Sequence, residues 1–228
     1  MNIPKNLMHV WIGPRPAPLD WMQTWQDHHP DWDYTLIDND YVSQHQFQNQ
    51  ALIDEYLRRA EYAGAADLIR YEVLHEKGGF MPGADSRCLR NTDELWTEAQ
   101  AYTVYENEFV RGQLVSPILA CEPNNPFVDA LINRLGQLKP EQLNKAWLTT
   151  GNYFVATMIK ELSPKVHIFP SHYFIPNHYT GHGYDGDGPI YCDQLFGETT
   201  NGYAKPNFAG KMQKIAGRLR SSRMRRKL

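Results

Sequence analysis

The stretch that decides the fold runs from residue 63 to residue 90 and reads AGAADLIRYEVLHEKGGFMPGADSRCLR. A helix over about 65–77 places Asp67 and Arg70 on one face, because residues three apart lie one turn apart. Gly78 follows at once and favours a helix end, since glycine accepts the left-handed cap without a Cβ clash. The stretch therefore predicts an amphipathic helix that carries an acid and a base on the same side.

A short strand and an acidic turn come next. Phe80 and Met81 are apolar, and the turn at 82–85 contains proline and glycine before it reaches Asp85. In open α/β sheets, ligands bind in the crevice beyond the carboxyl ends of the strands. A carboxylate just past such a strand, next to a helix carrying Asp67 and Arg70, indicates a ligand crevice.

Residues 63–90 resemble the glycosyltransferases with a DXD sugar-binding motif, family 32 in the usual sequence classification, and more distantly the glucosylating toxins. The pattern of that family is AxxADxxRxxxLxxxGG, followed by a strand that ends in Asp-x-Asp. The matching residues are Ala63, Ala66, Asp67, Arg70, Leu74, Gly78 and Gly79. Gly83 stands where the family has the first aspartate of a now degenerate motif, and Asp85 retains the second.

The resemblance implies one GT-A-type nucleotide-sugar-binding domain over residues 1–208. Its fold would be α/β, with a mostly parallel central sheet flanked by helices. Apolar runs predict strands at 6–12, 34–37, 80–81, 101–105, 114–121 and 166–169, and helical spacing predicts helices at 19–28, 49–59 and 127–138. The segment 190–197 is expected to close the sheet.

The resemblance also assigns residues to the nucleotide sugar. Trp11 and Ile12 fall in the family's N-terminal signature, where Trp11 would stack on the base, although a buried tryptophan can equally be a core residue. Asp38 follows the second strand and could bind the ribose or cap the next helix. Asn152 stands in a segment that lies near the sugar in relatives, and helix capping explains it equally well. Asp67 and Arg70 are the expected contacts to hydroxyl and phosphate groups, and with Asp85 they form the predicted catalytic set.

A divalent cation, Mn²⁺ or Mg²⁺, is expected to be held weakly and together with the nucleotide, because such ions take carboxylate and phosphate oxygens. Asp85 is the predicted ligand, and Asp193 and Gln194 are weaker candidates. Relatives carry a His-x-Trp where this chain has Gln194 and Phe196. The histidines at 172, 178 and 182 lack the register of a helical zinc pair.

The composition limits where and with what the protein acts. The net charge is −3, but residues 211–227 contain eight basic side chains and no acid, which leaves a net charge of −11 on the rest. The three cysteines, Cys88, Cys121 and Cys192, have no CxxC spacing and predict reduced thiols in a cytosolic protein. There is no run of eighteen apolar residues and no apolar signal-peptide core. The basic tail at 209–228 is interpreted as helical or disordered, and it could form a peripheral contact with the inner membrane surface. Nucleic acid binding is the least favoured interpretation, because the body is acidic.

The resemblance implies an enzyme that transfers a sugar, with retention, from a nucleotide donor such as a UDP-sugar to a glycan or lipid-linked acceptor. The cation would stabilise charge on the departing phosphate. The chain has neither of the common glycine-rich phosphate loops, GxxxxGK[ST] and GxGxxG. The alternative is a non-catalytic module that still binds a nucleotide or glycan, and the glycine at position 83 motivates it.

Overall fold

The structure is a computed structural model that describes residues 3–197. Nearly all of these residues lie in one compact unit, Met1–Gln194, which contains all of the described helices and strands. The predicted tail at 209–228 and the predicted domain boundary at residue 208 lie outside the described residues.

The unit alternates helices and strands along the chain. The α-helices are α1 (Leu19–His28), α2 (Asn39–Gln44), α3 (Gln50–Arg58), α4 (Tyr62–Lys77), α5 (Pro126–Leu135), α6 (Ala146–Thr149) and α7 (Asn152–Leu162). The strands are β1 (Asn6–Val10), β2 (Asp33–Ile37), β3 (Gly79–Phe80), β4 (Ser86–Cys88), β5 (Ala101–Val104), β6 (Ala120–Cys121), β7 (Val166–Phe169) and β8 (Cys192–Gln194).

Six of these strands form the central sheet, in the order β2-β1-β3-β6-β5-β7. Strand β1 runs parallel to β2 and β3, and β5 runs parallel to β7. Strand β6 is antiparallel to both of its neighbours, β3 and β5. Five strands therefore share one direction, and the predicted α/β fold with a mostly parallel sheet is confirmed.

The strand order reverses beside β1. The chain places β2 on one side of β1 and then returns to place β3 on the other side. Such a reversal leaves a crevice between the carboxyl ends of the two strands that diverge, because their connections run to opposite sides. The carboxyl ends of β1 and β3 at this point are followed by Trp11 and Met81.

Most predicted elements are present, with differences at their ends. Helix α1 and strand β7 have the predicted bounds, and α4 begins at Tyr62, one turn before the predicted start. The strand predicted at 114–121 is reduced to β6. Pro117 has no N–H to donate to a ladder, although Ser116 and Leu119 still bond to carbonyl groups of β5.

The segment predicted to close the central sheet lies elsewhere. Strand β8 pairs antiparallel with β4 in a separate two-stranded sheet, in which Ser86 lies opposite Gln194 and Cys88 opposite Cys192. The prediction that 190–197 joins the central sheet is therefore wrong. The physical reason is that β4, a three-residue strand directly after the acidic turn, supplies an edge for pairing that apolar periodicity does not reveal.

The double glycine after α4 is required by close packing. Gly79 has φ of 110°, and a Cβ atom there would lie 2.4 Å from the backbone oxygen of Asn6. No other residue could let β3 approach β1 so closely at this φ. The two glycines thus connect the end of α4 to the centre of the sheet.

Helix α4 is the centre of the packing. Its buried residues are Gly64, Ala65, Leu68, Ile69, Tyr71, Val73 and Leu74. The predicted packing residues Ile69 and Val73 are fully buried, whereas Ala66 is partly buried. The three cysteines are buried free thiols. Within residues 3–197, no helix has both the length and the apolarity needed to cross a membrane.

Candidate functional site

The candidate site lies at the carboxyl edge of the central sheet, where β1 and β3 diverge. Helix α4 packs behind this edge and carries Asp67 and Arg70 in its middle. The turn after β3 brings Asp85 to the same edge. The Arg70 guanidinium interacts electrostatically with both Asp67 and Asp85, so the structure brings the three predicted catalytic residues together.

Asp67 is partly buried, and its carboxylate contacts the start of α7. Its Oδ2 accepts a hydrogen bond of 2.9 Å from the Thr150 hydroxyl. A Cβ atom on Gly151 would lie 3.1 Å from the same oxygen, so glycine allows this close approach. Burial raises the pKa of the Asp67 carboxyl to about 7, against the smaller lowering effects of Arg70 and the Thr150 hydrogen bond. Near neutral pH this carboxyl can therefore either accept or donate a proton.

Arg70 holds the end of β3. Its Nη1 donates to the backbone oxygen of Met81 and also lies 3.4 Å from the backbone oxygen of Ile118. Burial lowers the pKa of the guanidinium, while Asp67 and the other nearby acids raise it. In the described part of the chain, Arg70 forms no direct salt bridge with Asp67. Arg70 is thus held by backbone carbonyl groups and not by an ion pair with Asp67.

Asp85, Gly83 and Gln194 form one cluster. The Gln194 amide donates a hydrogen bond of 2.7 Å to Asp85 Oδ1. A Cβ atom on Gly83 would lie 3.2 Å from Asp85 Oδ1 and 3.3 Å from Gln194 Oε1. Gly83 and Gln194, which stand where the resembled family has an aspartate and a histidine, are therefore both adjacent to Asp85 in space. The pairing of Ser86 with Gln194 across β4 and β8 creates this contact.

Asp193 faces another partner. Its Oδ2 lies 3.0 Å from Nη2 of Arg87, the residue opposite it in the two-stranded sheet. Neighbouring residues on a strand point to opposite faces. Asp193 and Gln194 therefore project to different sides of β8, and it is Gln194 that contacts Asp85.

The residues predicted for the nucleotide lie at the end of β1 and β2. Trp11 is partly exposed and donates from its indole Nε1 to the backbone oxygen of Arg15 at 2.7 Å, while Ile12 is buried. Asp38 caps α2, since its Oδ1 accepts a hydrogen bond of 2.9 Å from the Tyr41 amide. Both alternatives weighed for Asp38 remain compatible with this position, because the cap occupies one carboxylate oxygen.

A buried carboxylate that sequence reasoning did not select lies beyond Asn152. Glu106, 8% exposed, follows the carboxyl end of β5. Its oxygens accept from Asn152 Nδ2 at 3.0 Å and interact with His178 Nε2 at 3.2 Å. Arg111 Nε lies 3.2 Å from the same carboxylate but outside hydrogen-bond geometry. The available signal was an acid directly after a strand, yet a second acid follows at position 108, and nothing local distinguishes the two.

His9 is a second buried polar group near the site. Its Nδ1 lies 3.2 Å from the Tyr34 hydroxyl, and its Nε2 is buried without a hydrogen-bond partner among the described residues. Burial, together with the smaller effect of the Arg70 charge, lowers the pKa of the imidazole to about 3. His9 is therefore neutral at physiological pH, beneath the sheet edge where Trp11 lies.

The residues around Asp85 fit a divalent cation that is held jointly with a phosphate ligand. Carboxylate and amide oxygens are hard donors, which Mg²⁺ and Mn²⁺ prefer. Within residues 3–197, no three His, Cys, Asp or Glu side chains converge in a way that could hold a metal ion by themselves. Mg²⁺ in particular is commonly bound by one or two carboxylates together with substrate phosphates, and the Asp85–Gln194 pair suits that arrangement.

The sheet topology and the position of the site define an α/β domain of the GT-A type. Comparison with known proteins agrees: residues 19–102 match the family described as "glycosyltransferase sugar-binding region containing DXD motif". No curated protein sequence matches the chain.

Two solved structures are similar in fold. The PaToxG glycosyltransferase aligns with a TM-score of 0.58 at 14% identity, over 71% of this chain and 70% of that one. The UDP-bound glycosyltransferase domain from the YGT toxin aligns with a TM-score of 0.53 at 12% identity, over 73% and 79%. At these identities the likeness establishes the fold alone. The chain is thus a GT-A-type domain with a glycosyltransferase-like sugar-binding region.

Proposed function

We propose that the protein is a glycosyltransferase that moves a sugar, a hexose in our proposal, from a UDP-sugar to a glycan or lipid-linked acceptor with retention of configuration. The observation that carries this proposal is the arrangement of Asp67 and Asp85 around the Arg70 guanidinium at the point where the strand order reverses. The match of residues 19–102 to a sugar-binding region supports it. The degenerate DXD motif and membership of family 32 belong to the same proposal.

The residues would divide the work by their chemistry. Arg70 offers fixed donors to phosphate or hydroxyl oxygens. Asp67 accepts hydrogen bonds from sugar hydroxyls, and its Thr150 contact fixes the orientation of the carboxylate. Trp11 and Ile12 bind the base, Asp38 lies just past the end of the neighbouring strand β2, and Asn152 faces the sugar from the start of α7. Burial of Asp67 and Arg70 strengthens these interactions, because a low dielectric screens charge less.

Asp85 and Gln194 would hold Mn²⁺ or Mg²⁺ together with the donor phosphates, with Asp193 as the weaker candidate. When bound, such a cation stabilises the negative charge that develops on the leaving diphosphate. Arg70 contributes positive charge to the same region even when no metal ion is bound. The chain's own residues thus supply both orientation and charge compensation.

The second candidate is a non-catalytic module that binds the nucleotide sugar without transferring it. Gly83 favours this alternative, because it leaves Asp85 with an amide neighbour where a second carboxylate would strengthen cation binding. Both candidate proteins would bind the nucleotide sugar, but only the glycosyltransferase would transfer the sugar.

We also propose where the protein acts. The proposed location is the cytoplasm, where the three free thiols would stay reduced, and the proposed process is polysaccharide biosynthesis. The basic segment 209–228 would contact an anionic inner membrane surface that presents lipid-linked acceptors. Cosedimentation of the full chain with phosphatidylserine vesicles, compared with a chain ending at residue 208, tests the membrane contact. Equal binding of the two would reject it.

Release of UDP tests the main proposal. The full chain is incubated with Mn²⁺ and single UDP-hexoses, with and without a mixture of oligosaccharide acceptors, and free UDP is measured. We expect UDP release from at least one donor by the wild type and a loss of at least about 100-fold in Asp67→Asn and Arg70→Lys. Binding of UDP without release in every mixture would favour the non-catalytic module, and neither binding nor release would reject both.

A further inference from the structure

Two aromatic side chains are exposed beside the candidate sugar site. Trp147 on α6 is 43% exposed and Tyr153 on α7 is 52% exposed. Their ring centroids lie 6.5 Å apart at an interplanar angle of 83°. Large exposed aromatic side chains that lie together on a protein surface mark binding sites more often than isolated ones do.

The pair is close to Asp67. A Cβ atom on Gly151 would lie 3.1 Å from Asp67 Oδ2 and also 3.1 Å from Trp147 Cα. The Trp147 backbone and the Asp67 carboxylate therefore both lie close to Gly151, which has no Cβ atom to separate them. Asn152, which follows Gly151, directly precedes Tyr153.

A cavity of about 780 Å³ begins at Tyr153, and Trp147 lies outside its wall. Tyr153 and Arg111 both line it, and the Arg111 guanidinium lies 5.9 Å from the centroid of the Trp147 ring. Thr157 and Lys160, one and two turns along α7, continue the wall. The volume falls in the range of roughly 300–1,000 Å³ that is typical of small-molecule sites.

The chemistry of this surface suits a sugar chain. A pyranose ring has an apolar face of C–H groups, which carry partial positive charge and are attracted to the negative face of an aromatic ring. Its rim carries hydroxyl groups, which hydrogen-bond to guanidinium, hydroxyl, amide and ammonium groups. The aromatic pair supplies the first kind of contact, and Arg111, Gln113, Thr157 and Lys160 supply the second.

Two of the three charged residues that line the cavity, Arg111 and Glu161, have an opposite charge nearby, and Lys160 adds one exposed cation. Arg111 lies within 3.2 Å of the Glu106 carboxylate, and Glu161 lies 3.0 Å from Arg134. An anionic membrane surface would be attracted by a basic patch. Because of these ion pairs, the described residues of the cavity wall include no cluster of unpaired cations. The balance favours an oligosaccharide over a lipid headgroup.

We infer that Trp147 and Tyr153 form the acceptor subsite, and that it binds the sugar rings of an oligosaccharide by stacking. This inference rests on the proposed function, because it treats Asp67 as the donor-sugar side. The acceptor enters along the cavity between α7 and residues 111–115, and its terminal sugar reaches past Gly151 to the donor. Glycan binding is then separable from donor binding, since the two use different residues.

The test measures both kinds of binding on the same protein. The labelled full chain is applied, with UDP and Mn²⁺, to a printed array of defined oligosaccharides, and UDP binding is measured separately by thermal shift. We expect the wild type to bind at least one oligosaccharide. Trp147→Ala and Tyr153→Ala should weaken that binding at least about fivefold, and Trp147→Phe should weaken it less, because a smaller ring still stacks. The shift caused by UDP should be unchanged in all three.

Leu162→Ala is the matched control, because Leu162 is also exposed on α7 but at its far end. It should bind glycan as the wild type does. A wild type that binds UDP but no oligosaccharide overturns the subsite and leaves the proposed function standing. Oligosaccharide binding that survives both alanine substitutions also overturns it. Glycan binding that depends on Trp147 in a protein that does not bind UDP supports the stacking surface and rejects the donor assignment.

Discussion

At Asp67, ligand binding and stability make opposite demands. In the proposed function the carboxylate accepts hydrogen bonds from a sugar, yet burial raises its pKa to about 7. The folded protein therefore binds a proton at Asp67 between about pH 4 and pH 7, where the unfolded chain has already lost it. The Asp67 contribution to the free energy of unfolding consequently decreases as pH rises through this window and stays low above pH 7.

Replacing Asp67 with asparagine should therefore stabilise the protein at high pH while removing the site. Asparagine retains an acceptor for the Thr150 hydroxyl but carries no charge to bury. We expect Asp67→Asn to match the wild type near pH 4 and to be more stable by ~2 kcal/mol at pH 8, roughly 4–8 °C in Tm. Thermal unfolding from pH 4 to pH 8 measures the difference. Asp31→Asn, at an exposed position, is the control; a gap between Asp67→Asn and wild type that does not widen with pH would contradict a buried, proton-binding Asp67.

Gly83 offers a second test, because the structure shows what a side chain there would meet. An aspartate would point at Asp85 Oδ1 and Gln194 Oε1, which lie 3.2 Å and 3.3 Å from the Cβ position. Without a cation, two carboxylates repel, and we expect Gly83→Asp to lose on the order of 1 kcal/mol, roughly 2–4 °C in Tm, in EDTA. With Mn²⁺ and UDP, the added ligand should reverse this loss and produce a larger upward shift than in wild type.

Gly83→Asn separates charge from bulk at this position, since asparagine has the same size and no charge. It should lose stability equally in EDTA and in Mn²⁺. If Gly83→Asp behaves as Gly83→Asn does in both solutions, no cation binds beside Asp85.

Among individual residues, the sequence alone could predict which side chains carry charge at the sheet edge but not what they contact. Asp67, Arg70 and Asp85 were selected on their spacing and on a family resemblance. The Gly83–Asp85–Gln194 cluster joins residues more than 100 positions apart, and only the pairing of β4 with β8 brings them together. Similarly, the bond from Arg70 to the Met81 carbonyl depends on how α4 packs against β3.

At the scale of elements, the start of α7 connects two parts of the site. Thr150 donates to Asp67, Gly151 leaves room for that carboxylate, and Asn152 donates to Glu106. His178 contacts the same carboxylate from the loop at 175–189. Glu106 therefore acts as a positioning residue, which holds the start of α7 and that loop in fixed relation to each other.

Substitution of Glu106 should expose this role. Glu106→Ala removes the carboxylate that Asn152 and His178 contact, and we expect a loss on the order of 3 kcal/mol. Glu106→Gln keeps one acceptor oxygen and should lose less. Glu108→Gln, two residues along the chain, is a comparison of the same chemical kind, and it should have a small effect because the Glu108 carboxylate accepts from the Ser171 amide at 3.2 Å and 3.3 Å, both long distances.

Chemical denaturation of these variants measures the loss, and UDP affinity measured on the same samples separates positioning from stability. Glu106→Gln should weaken UDP-sugar binding more than it weakens UDP binding, because the proposed function places Asn152 against the sugar. Equal effects on both ligands would reduce Glu106 to a structural role.

The elements themselves were largely predictable where periodicity was strong. Helices α1, α3 and α5 have clear apolar stripes, and each was expected within a few residues of its observed bounds. Strand β4 was missed because a three-residue strand that contains Arg87 carries no apolar alternation. The sequence indicated Asp38 as a possible helix cap, but the short helix α2 that it begins was not predicted.

At the scale of the whole molecule, the strand directions determine where the polar residues meet. Because five of six strands in the central sheet run the same way, the residues after β1, β2, β3 and β5 reach one edge. These residues include Trp11, Asp38, Asp85 and Glu106. The fold could be predicted from the sequence through the family resemblance, but the antiparallel β6 and the separate β4–β8 sheet depend on tertiary pairing and could not.

The measurement that tests the central claim most directly is a calorimetric titration of UDP into the full chain, in Mn²⁺ and again in EDTA. We predict saturable binding in Mn²⁺ that weakens at least about tenfold in EDTA, since in the proposed function a cation would link the phosphates to Asp85. Asp85→Asn should bind in Mn²⁺ as weakly as the wild type does in EDTA, Asp193→Asn should retain the effect of Mn²⁺, and Trp11→Ala should weaken binding in both solutions. A folded wild-type protein that takes up no UDP in either solution would contradict the claim that this edge of the sheet is a nucleotide-sugar site.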